Sequence, residues 1–493
     1  VQKLITEVPP MFDNIQENKT FKNLYNGEWI VSKSGNTIDI YSPNDNSCIG
    51  KVQAFEKEEV NKTIENSRQS QKLWADTPIN ERASILHKTA ELLEDNLEEL
   101  SQLLQMEIAK DKESSASEIR RTADFIRFTA DEGKHMEGET IFPDNFPGYK
   151  RDRVSIVNRI PIGVVLAISP FNYPINLSAS KLAPALIAGN SVILKPPTQG
   201  ALSALHLAEI FNRAGLPSGV LNTVTGKSSE IGDYIVSHED INFINFTGST
   251  EVGKHIAKVA GKVPMLMELG GKDAAIVLED ADVGEAAKQI VAGAYSYSGQ
   301  RCTAVKRVLA VDKIADTLIA EMNCLISKLK VGSPLEGAQI TPLINNEAAN
   351  FVQELIDDAI SKGAKLIIGN KRNNNLMYPS LFDYVTTDMR LAWEEPFGPI
   401  LPVIRVKNTN EAIQISNASQ YGLQASVFTS SIKDAFYIAN KLEVGTVHIN
   451  SKTERGPDHF PFLGVKASGM GTQGIRYSIE AMSRPKSVVL NIN

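Results

Sequence analysis

Cys302 stands in Tyr297-Ser-Gly-Gln-Arg-Cys-Thr-Ala-Val305, where glycine and small polar neighbours leave its sulfur open to a reactant and Arg301 sets a fixed cation beside it. A neighbouring cation favours thiolate over thiol, and the thiolate is the nucleophile. The same stretch also suits a buried reduced cysteine acting as a small hydrophobe, so the choice rests on what accompanies it. Glu268, in Met267-Glu-Leu-Gly-Gly-Lys272, is a carboxylate on an apolar approach before two glycines. Such surroundings raise a carboxylate towards the range of a general base; an acid capping a strand at the surface is the other reading. Asn172, in Ser169-Pro-Phe-Asn-Tyr-Pro174, offers an amide NH2 either to a developing oxyanion or to a turn.

Three further stretches suit a dinucleotide. Phe246-Thr-Gly-Ser-Thr-Glu-Val-Gly253 follows a strand and opens a helix, so Gly248 and Ser249 form either an anion site at a helix N-terminus or a plain cap. Lys195-Pro-Pro-Thr198 follows a strand at the place where such folds meet a ribose. An acidic residue there would repel a 2′-phosphate; Thr198 is neutral and Lys195 is a cation, which favours NADP over NAD. Glu394-Glu-Pro-Phe-Gly-Pro399 is an acidic and aromatic turn, in which Glu395 suits a ribose and Phe397 a nicotinamide, unless it is only a loop. A long loop, residues 450–462, carries Arg455 at its centre.

At 493 residues the chain exceeds what one core usually supports, and two to three domains are expected. A net charge of -7 argues against general attraction to nucleic acid or an anionic membrane, so an anionic ligand needs local arginines. Three cysteines, Cys48, Cys302 and Cys324, without a CxxC pair fit a reducing compartment and no disulfide framework or zinc site. Cys324, on an apolar helical face, reads as packing, and Cys48 as incidental. The seven histidines show no metal-ligand spacing, so no metal is expected. Val1-Gln-Lys-Leu-Ile-Thr-Glu has no apolar leader core, and the longest apolar run is far short of the ~20 residues of a spanning helix. A cytoplasmic protein is the expectation.

The positioning elements follow from periodicity. Asn26-Gly27 reads as a hairpin turn, with Thr37-Ile-Asp-Ile-Tyr41 continuing the same small sheet. Residues 56–110 take a helical period, with Leu86, Ala90, Leu93, Leu97 and Leu100 on one face. A further helix carries Arg120 and Arg121, about 100° apart, so only one of them faces inward. From 161 onward strands over 163–168, 191–194, 221–224 and 241–246 alternate with helices over 181–188, 201–214 and 232–237, the pattern of a doubly wound α/β domain. A second α/β set starts at Lys272. The strand Arg153-Val-Ser-Ile-Val-Asn-Arg159 is expected to pair with Lys486-Ser-Val-Val-Leu-Asn-Ile492 and to meet a neighbouring subunit, or else both are local edge strands.

Asn172, Lys195, Gly248-Ser249, Glu268-Leu-Gly-Gly, Gly299-Gln-x-Cys302 and Glu395-Pro-Phe-Gly, in that order, resemble the aldehyde dehydrogenase superfamily over essentially the whole chain. Lys195-Pro-Pro-Thr-Gln-Gly, Ser298-Gly-Gln-Arg-Cys-Thr-Ala-Val-Lys-Arg307 and Arg455-Gly-Pro-Asp-His-Phe-Pro-Phe-Leu-Gly are similar to the non-phosphorylating, NADP-dependent glyceraldehyde-3-phosphate dehydrogenases within it. The resemblance implies an aldehyde dehydrogenase-like fold of two doubly wound α/β domains and a small β oligomerisation arm. Its boundaries are a dinucleotide-binding domain at 1–137 and 161–267, a catalytic domain at 268–465, a return to the first domain at 466–483, and the arm at 138–160 and 484–493. It also implies Cys302 as nucleophile, Glu268 as the base that activates water, and an oxyanion held by Asn172 and the Cys302 N–H. Arg121, Tyr173, Arg301, Thr303 and Arg455 would line the aldehyde pocket, and Arg120 would face solvent. Ser169, Lys195, Thr198, Asp233, Gly248, Ser249, Glu395 and Phe397 would meet NADP, and a homotetramer would be usual. Succinate semialdehyde is the rival substrate, since a carboxylate also suits arginines. A non-catalytic relative using the scaffold for binding, or as a lens-type protein, is the rival class.

Overall fold

The computed structural model describes Pro9 and residues 11–492. Two sheets dominate it. In the first, the order is Leu221–Thr223, Ser191–Lys195, Val164–Ile168, Phe243–Thr247, Met265–Glu268 and Gly469–Met470, parallel except for the last. Val164–Leu166 and Phe243–Thr247 are buried on both faces, as parallel strands covered by helices must be. Chain order reverses between Val164–Ile168 and Phe243–Thr247, and their carboxyl ends open on the crevice in which such sheets bind ligands.

The second sheet has the order Lys365–Ile368, Ser380–Asp383, Ile400–Val406, Arg307–Val311, Ala274–Val277, Gln424–Phe428 and Thr446–Ile449. Only the Lys365–Ile368 edge is antiparallel. The final two strands were not expected from sequence; Gln424-Ala-Ser-Val-Phe428 and Thr446-Val-His-Ile449 do alternate polar and apolar residues, but only over four or five positions. The Arg153–Pro161 and Ser483–Asn491 strands pair antiparallel from Ser483 opposite Pro161 to Asn491 opposite Arg153, as expected. Ile156, Val488, Val489 and Leu490 on this ribbon are exposed.

Several local expectations are corrected. The Asn26-Gly27 hairpin forms, with both residues at positive φ, but joins only Asn23–Tyr25 to Glu28–Ile30. Thr37–Tyr41 belongs to a different sheet, beside Cys48–Gln53. The helical stretch is three helices, Lys57–Ala75, Ile79–Asp95 and Leu97–Glu107, which breaks the single Leu86-to-Leu100 face at Asn96. The helix expected from 181 starts at Asn176, because Glu118 of the Lys112–Lys134 helix accepts from Ile175 N and Asn176 N at 3.0 Å each and caps it from a distance. The helix expected from 232 runs over Ser228–Val236. Cys324 does not pack: the Asp312–Ile326 helix buries Leu318, Met322 and Ile326 and turns Cys324 to solvent. Arg120 is exposed and Arg121 faces inward, one of the two as the helical spacing allowed and the one the resemblance implied. Among the described residues no helix is long and apolar enough to cross a membrane, and no cluster of His, Cys, Asp and Glu could hold a metal.

Candidate active site

Cys302 lies just after a turn with three consecutive residues at positive φ: Tyr297 at 48°, Ser298 at 52° and Gly299 at 72°. The first two pay a conformational penalty that tertiary contacts must offset. Tyr297 is fully buried and its hydroxyl donates to Ile108 O at 3.1 Å; Ser298 Oγ donates to Thr341 O at 2.9 Å and accepts from Thr341 N at 2.8 Å. Gly299 has a further reason to be glycine, since a Cβ there would come within 2.4 Å of Gly398 O. The turn is thus packed directly on the Glu395-Pro-Phe-Gly398 segment.

A cavity of about 610 Å³ opens beside this turn. Its walls include Cys302, Thr303, Tyr173, Arg121, Arg301 and Arg455, so the five residues expected at the aldehyde pocket share one space with the cysteine. Asn172 is buried at the end of the loop after Val164–Ile168, and its Nδ2 donates to Gln300 O at 2.9 Å, two residues before the sulfur. Its own carbonyl accepts from Lys110 Nζ at 2.9 Å. Lys110 and Glu118 form a wholly buried ion pair at 2.5 Å, with the ammonium 3.2 Å from the Tyr173 ring centroid. One buried pair therefore fixes both Asn172 and Tyr173 from behind.

The electrostatics differ from the expectation. Arg301 Nη2 donates to Gly293 O at 2.6 Å. Burial pushes the Cys302 thiol up to about 11; Lys306 is the cation that pulls it back, while Glu268, Glu395 and Asp273 push it higher. Desolvation thus opposes the depressed thiol expected of a neighbouring cation, and the cation that counters it is Lys306 and not Arg301.

Glu268 ends the Met265–Glu268 strand and is 4% exposed, so it is no surface cap. Both its oxygens accept from Arg455 Nη1 at 3.1 Å, and Oε2 accepts from Thr247 Oγ1 at 3.1 Å. Lys181 Nζ donates to Thr247 Oγ1 at 2.6 Å, and burial brings that ammonium down to about 7, with Glu268 opposing the shift. Arg455 also donates to Gln473 Oε1 at 2.5 Å. Arg121 makes two 2.7 Å bonds to Asp458, which Arg455 approaches at 3.5 Å. Burial acts to raise the Asp458 carboxyl, but Arg121 and Arg455 outweigh it and hold the group below its ordinary value. Asp458, Lys110, Lys306 and Thr247 were missed by the sequence reading. A charged residue inside an apolar stretch was the available signal for Lys181.

A second cavity, about 710 Å³, lies beyond the first sheet and is lined by Ile168, Lys195, Ser228, Asp233, Phe246 and Val252 among others. Lys195 is buried and donates to Ser228 Oγ at 3.1 Å; desolvation lowers its ammonium to about 8. A buried cation facing a roomy crevice fits a phosphorylated dinucleotide. Thr198 is exposed on the following loop, and Asp233 is exposed and paired with His255 at 2.7 Å. Gly248 N donates to Glu268 O at 3.1 Å, and Ser249 Oγ caps the Thr250–Val259 helix through Val252 N. Ser169 is buried and accepts from Ser178 Oγ at 2.8 Å. Glu395 Oε1 accepts from Gly271 N at 3.1 Å and from Lys306 Nζ at 2.9 Å. Phe397, at φ 47°, sets its ring edge-to-face on Phe171 with centroids 5.8 Å apart.

Residues 29–488 match the model of the aldehyde dehydrogenase family. An NADP-dependent glyceraldehyde-3-phosphate dehydrogenase of Streptococcus equinus is 57% identical over 474 residues, covering 96% of this chain and 99% of that protein. One of Triticum aestivum is 49% identical over 484 residues, covering 98% and 97%. A crystal structure of the NADP-dependent glyceraldehyde-3-phosphate dehydrogenase of Bacillus halodurans C-125, complexed with NADP, superposes with a TM-score of 0.95 at 52% identity, covering 96% and 99%. With the Cys302 turn, the buried glutamate and the two cavities on one scaffold, this chain belongs to the aldehyde dehydrogenase family.

Proposed function

We propose that this protein oxidises D-glyceraldehyde 3-phosphate to 3-phosphoglycerate with NADP, by a thioester that water hydrolyses without inorganic phosphate. The observation that carries the reading is the cavity in which Cys302 shares its walls with Arg121, Arg301 and Arg455. In a chain of net charge -7, three guanidinium groups from distant segments around one sulfur suit an anionic aldehyde, and their planar forks match phosphate oxygens. Relatives of the same name and the NADP complex of a 52% identical protein support the same substrate and cofactor.

The Cys302 sulfur attacks the aldehyde carbon, forming a C–S bond and an oxyanion. Asn172 Nδ2, already beside the nucleophile segment, and the Cys302 N–H donate to that oxyanion; losing one such donor typically costs about 100- to 1,000-fold in rate. NADP, when bound against Lys195, Glu395 and Phe397, supplies the acceptor for the hydride that leaves the adduct carbon. Glu268 then takes a proton from water, the resulting hydroxide adds to the thioester carbonyl, and the C–S bond breaks to release the acid and the Cys302 thiolate. Arg455 belongs to both halves, holding Glu268 and lining the aldehyde cavity.

The domain division at 1–137 with 161–267, 268–465, 466–483 and the arm, a homotetramer joined through the arm, and a cytoplasmic location are parts of the same proposal. The exposed apolar residues of the Ser483–Asn491 ribbon support the oligomer. The test is glyceraldehyde 3-phosphate with NADP in phosphate-free buffer, alongside succinate semialdehyde. NADPH with free 3-phosphoglycerate, abolished in Cys302→Ser, is expected; a dependence on phosphate, or a higher kcat/KM for the semialdehyde, overturns it.

A further inference from the structure

Lys306 is the least explained charge near the nucleophile. Its side chain is 2% exposed, and its backbone N–H donates to Asp273 O at 2.9 Å, which fixes it at the amino ends of two central strands of the second sheet, Ala274–Val277 and Arg307–Val311. The ammonium has two partners. One is the carbonyl of Cys302 itself; the other is Glu395 Oε1, at 2.9 Å. Glu395 Oε1 is also held by Gly271 N, and the glycines on either side of that contact leave no spare room. A Cβ on Gly270 would fall 2.3 Å from Glu395 Oε2, and one on Gly271 would fall 3.1 Å from Cys302 O. Lys306, Glu395, the Gly270-Gly271 turn and the Cys302 peptide therefore form one packed unit.

We propose that Lys306 is a positioning residue that locks the carboxylate of Glu395, on the cofactor side, to the peptide of Cys302, on the aldehyde side, and sets the balance of charge felt by the sulfur. The inference deepens the oxidoreductase reading and takes from it only the roles of Glu395 and Cys302. Three consequences follow from the geometry. With Oε1 committed to Gly271 and Lys306, Glu395 has only Oε2 to offer a ribose. With its carbonyl held by a cation, Cys302 has the peptide plane that follows it fixed. And the positive charge of Lys306 opposes Glu268, Glu395 and Asp273, the carboxylates that disfavour the thiolate.

The groups facing the sulfur therefore pull in opposite directions, and single substitutions separate them. Peptide-resolved rates of Cys302 alkylation by iodoacetamide, compared between variants at each pH from 6 to 10 in the full chain without substrate or NADP, read the thiolate fraction and hence the shift of its midpoint. The exposed Cys48 serves as internal reference. Lys306→Met should move the Cys302 midpoint up by about one unit, a roughly tenfold loss of thiolate at fixed pH, and leave Cys48 unchanged. Lys306→Arg should restore most of the shift. Glu395→Gln, which keeps the lysine and removes a negative charge, should move the midpoint down, and it supplies the answer if the methionine variant does not fold. In steady state, Lys306→Met should raise KM for NADP as well as lower kcat. Unchanged alkylation midpoints in Lys306→Met and Glu395→Gln, whatever happens to thermal stability, overturn the proposal. Because alkylation needs neither aldehyde nor cofactor, an enzyme that fails to oxidise glyceraldehyde 3-phosphate would refute the functional reading while leaving this result standing.

Discussion

Removing Arg121 tests the phosphate reading most directly, provided the substitution is paired correctly. Arg121 makes two 2.7 Å bonds to Asp458, whose carboxylate is 10% exposed and otherwise meets only Arg455 at 3.5 Å. Arg121→Ala alone leaves that buried charge only the longer Arg455 contact, a partial stranding that costs up to about 3 kcal/mol of stability, so a loss of activity would be ambiguous. Asp458→Asn removes the stranded charge, and the informative comparison is Arg121→Ala/Asp458→Asn against Asp458→Asn. A charge-assisted hydrogen bond contributes about 1.5–3 kcal/mol, or roughly 10- to 150-fold in kcat/KM. That factor should fall on glyceraldehyde 3-phosphate and spare D-glyceraldehyde, which has no phosphate, so the ratio of the two kcat/KM values with NADP is the assay. If the ratio in the double variant stays within about threefold of that in Asp458→Asn, the guanidinium carries no phosphate and the argument from the arginine cavity fails.

Two further outcomes follow. Thr198→Glu places a carboxylate on the exposed loop just beyond the buried Lys195, where like charge repels a 2′-phosphate; kcat/KM for NADP relative to NAD should drop at least roughly tenfold, and an unchanged ratio counts against the Lys195 and Thr198 reading. His206 is buried against Phe12 and Phe21, and burial pushes it from 6.5 down to about 4. Between those values the unfolded chain binds the proton that the native state refuses, so stability is lost as pH falls from 6.5 to 4, by about 3 kcal/mol. His206→Leu should show a shallower fall of thermal midpoint across that window, and equal slopes would refute the assignment.

Much of the frame was legible because burial follows local period. Apolar runs punctuated by glycine and proline announced the first sheet, and the spacing on the Lys112–Lys134 helix allowed only one of Arg120 and Arg121 inward, the family resemblance choosing Arg121. Cys324 shows the limit: its neighbours are apolar, but the helix presents that one position to solvent. Remote caps are invisible in the sequence: one misplaced the start expected at 181, whereas the start expected at 201 held. Glu118 caps the helix at Asn176, and Glu107 caps the one at Ala201 through Gly200, Leu202 and Ser203 N–H groups, from nearly a hundred residues away.

The amino-acid order by itself determined which side chains could react: a lone cysteine in a glycine-bordered turn, a glutamate before paired glycines, an asparagine at a strand end. Only the tertiary structure decided their partners. Arg301 adjoins Cys302 in the chain yet donates to Gly293 O, whereas Lys306, four residues on, reaches the Cys302 carbonyl; Arg455 and Glu268 meet across 187 residues. The reason is that residue type and period report what each side chain prefers locally, while the charge a buried group experiences is the sum over neighbours that the packing of two sheets brings together.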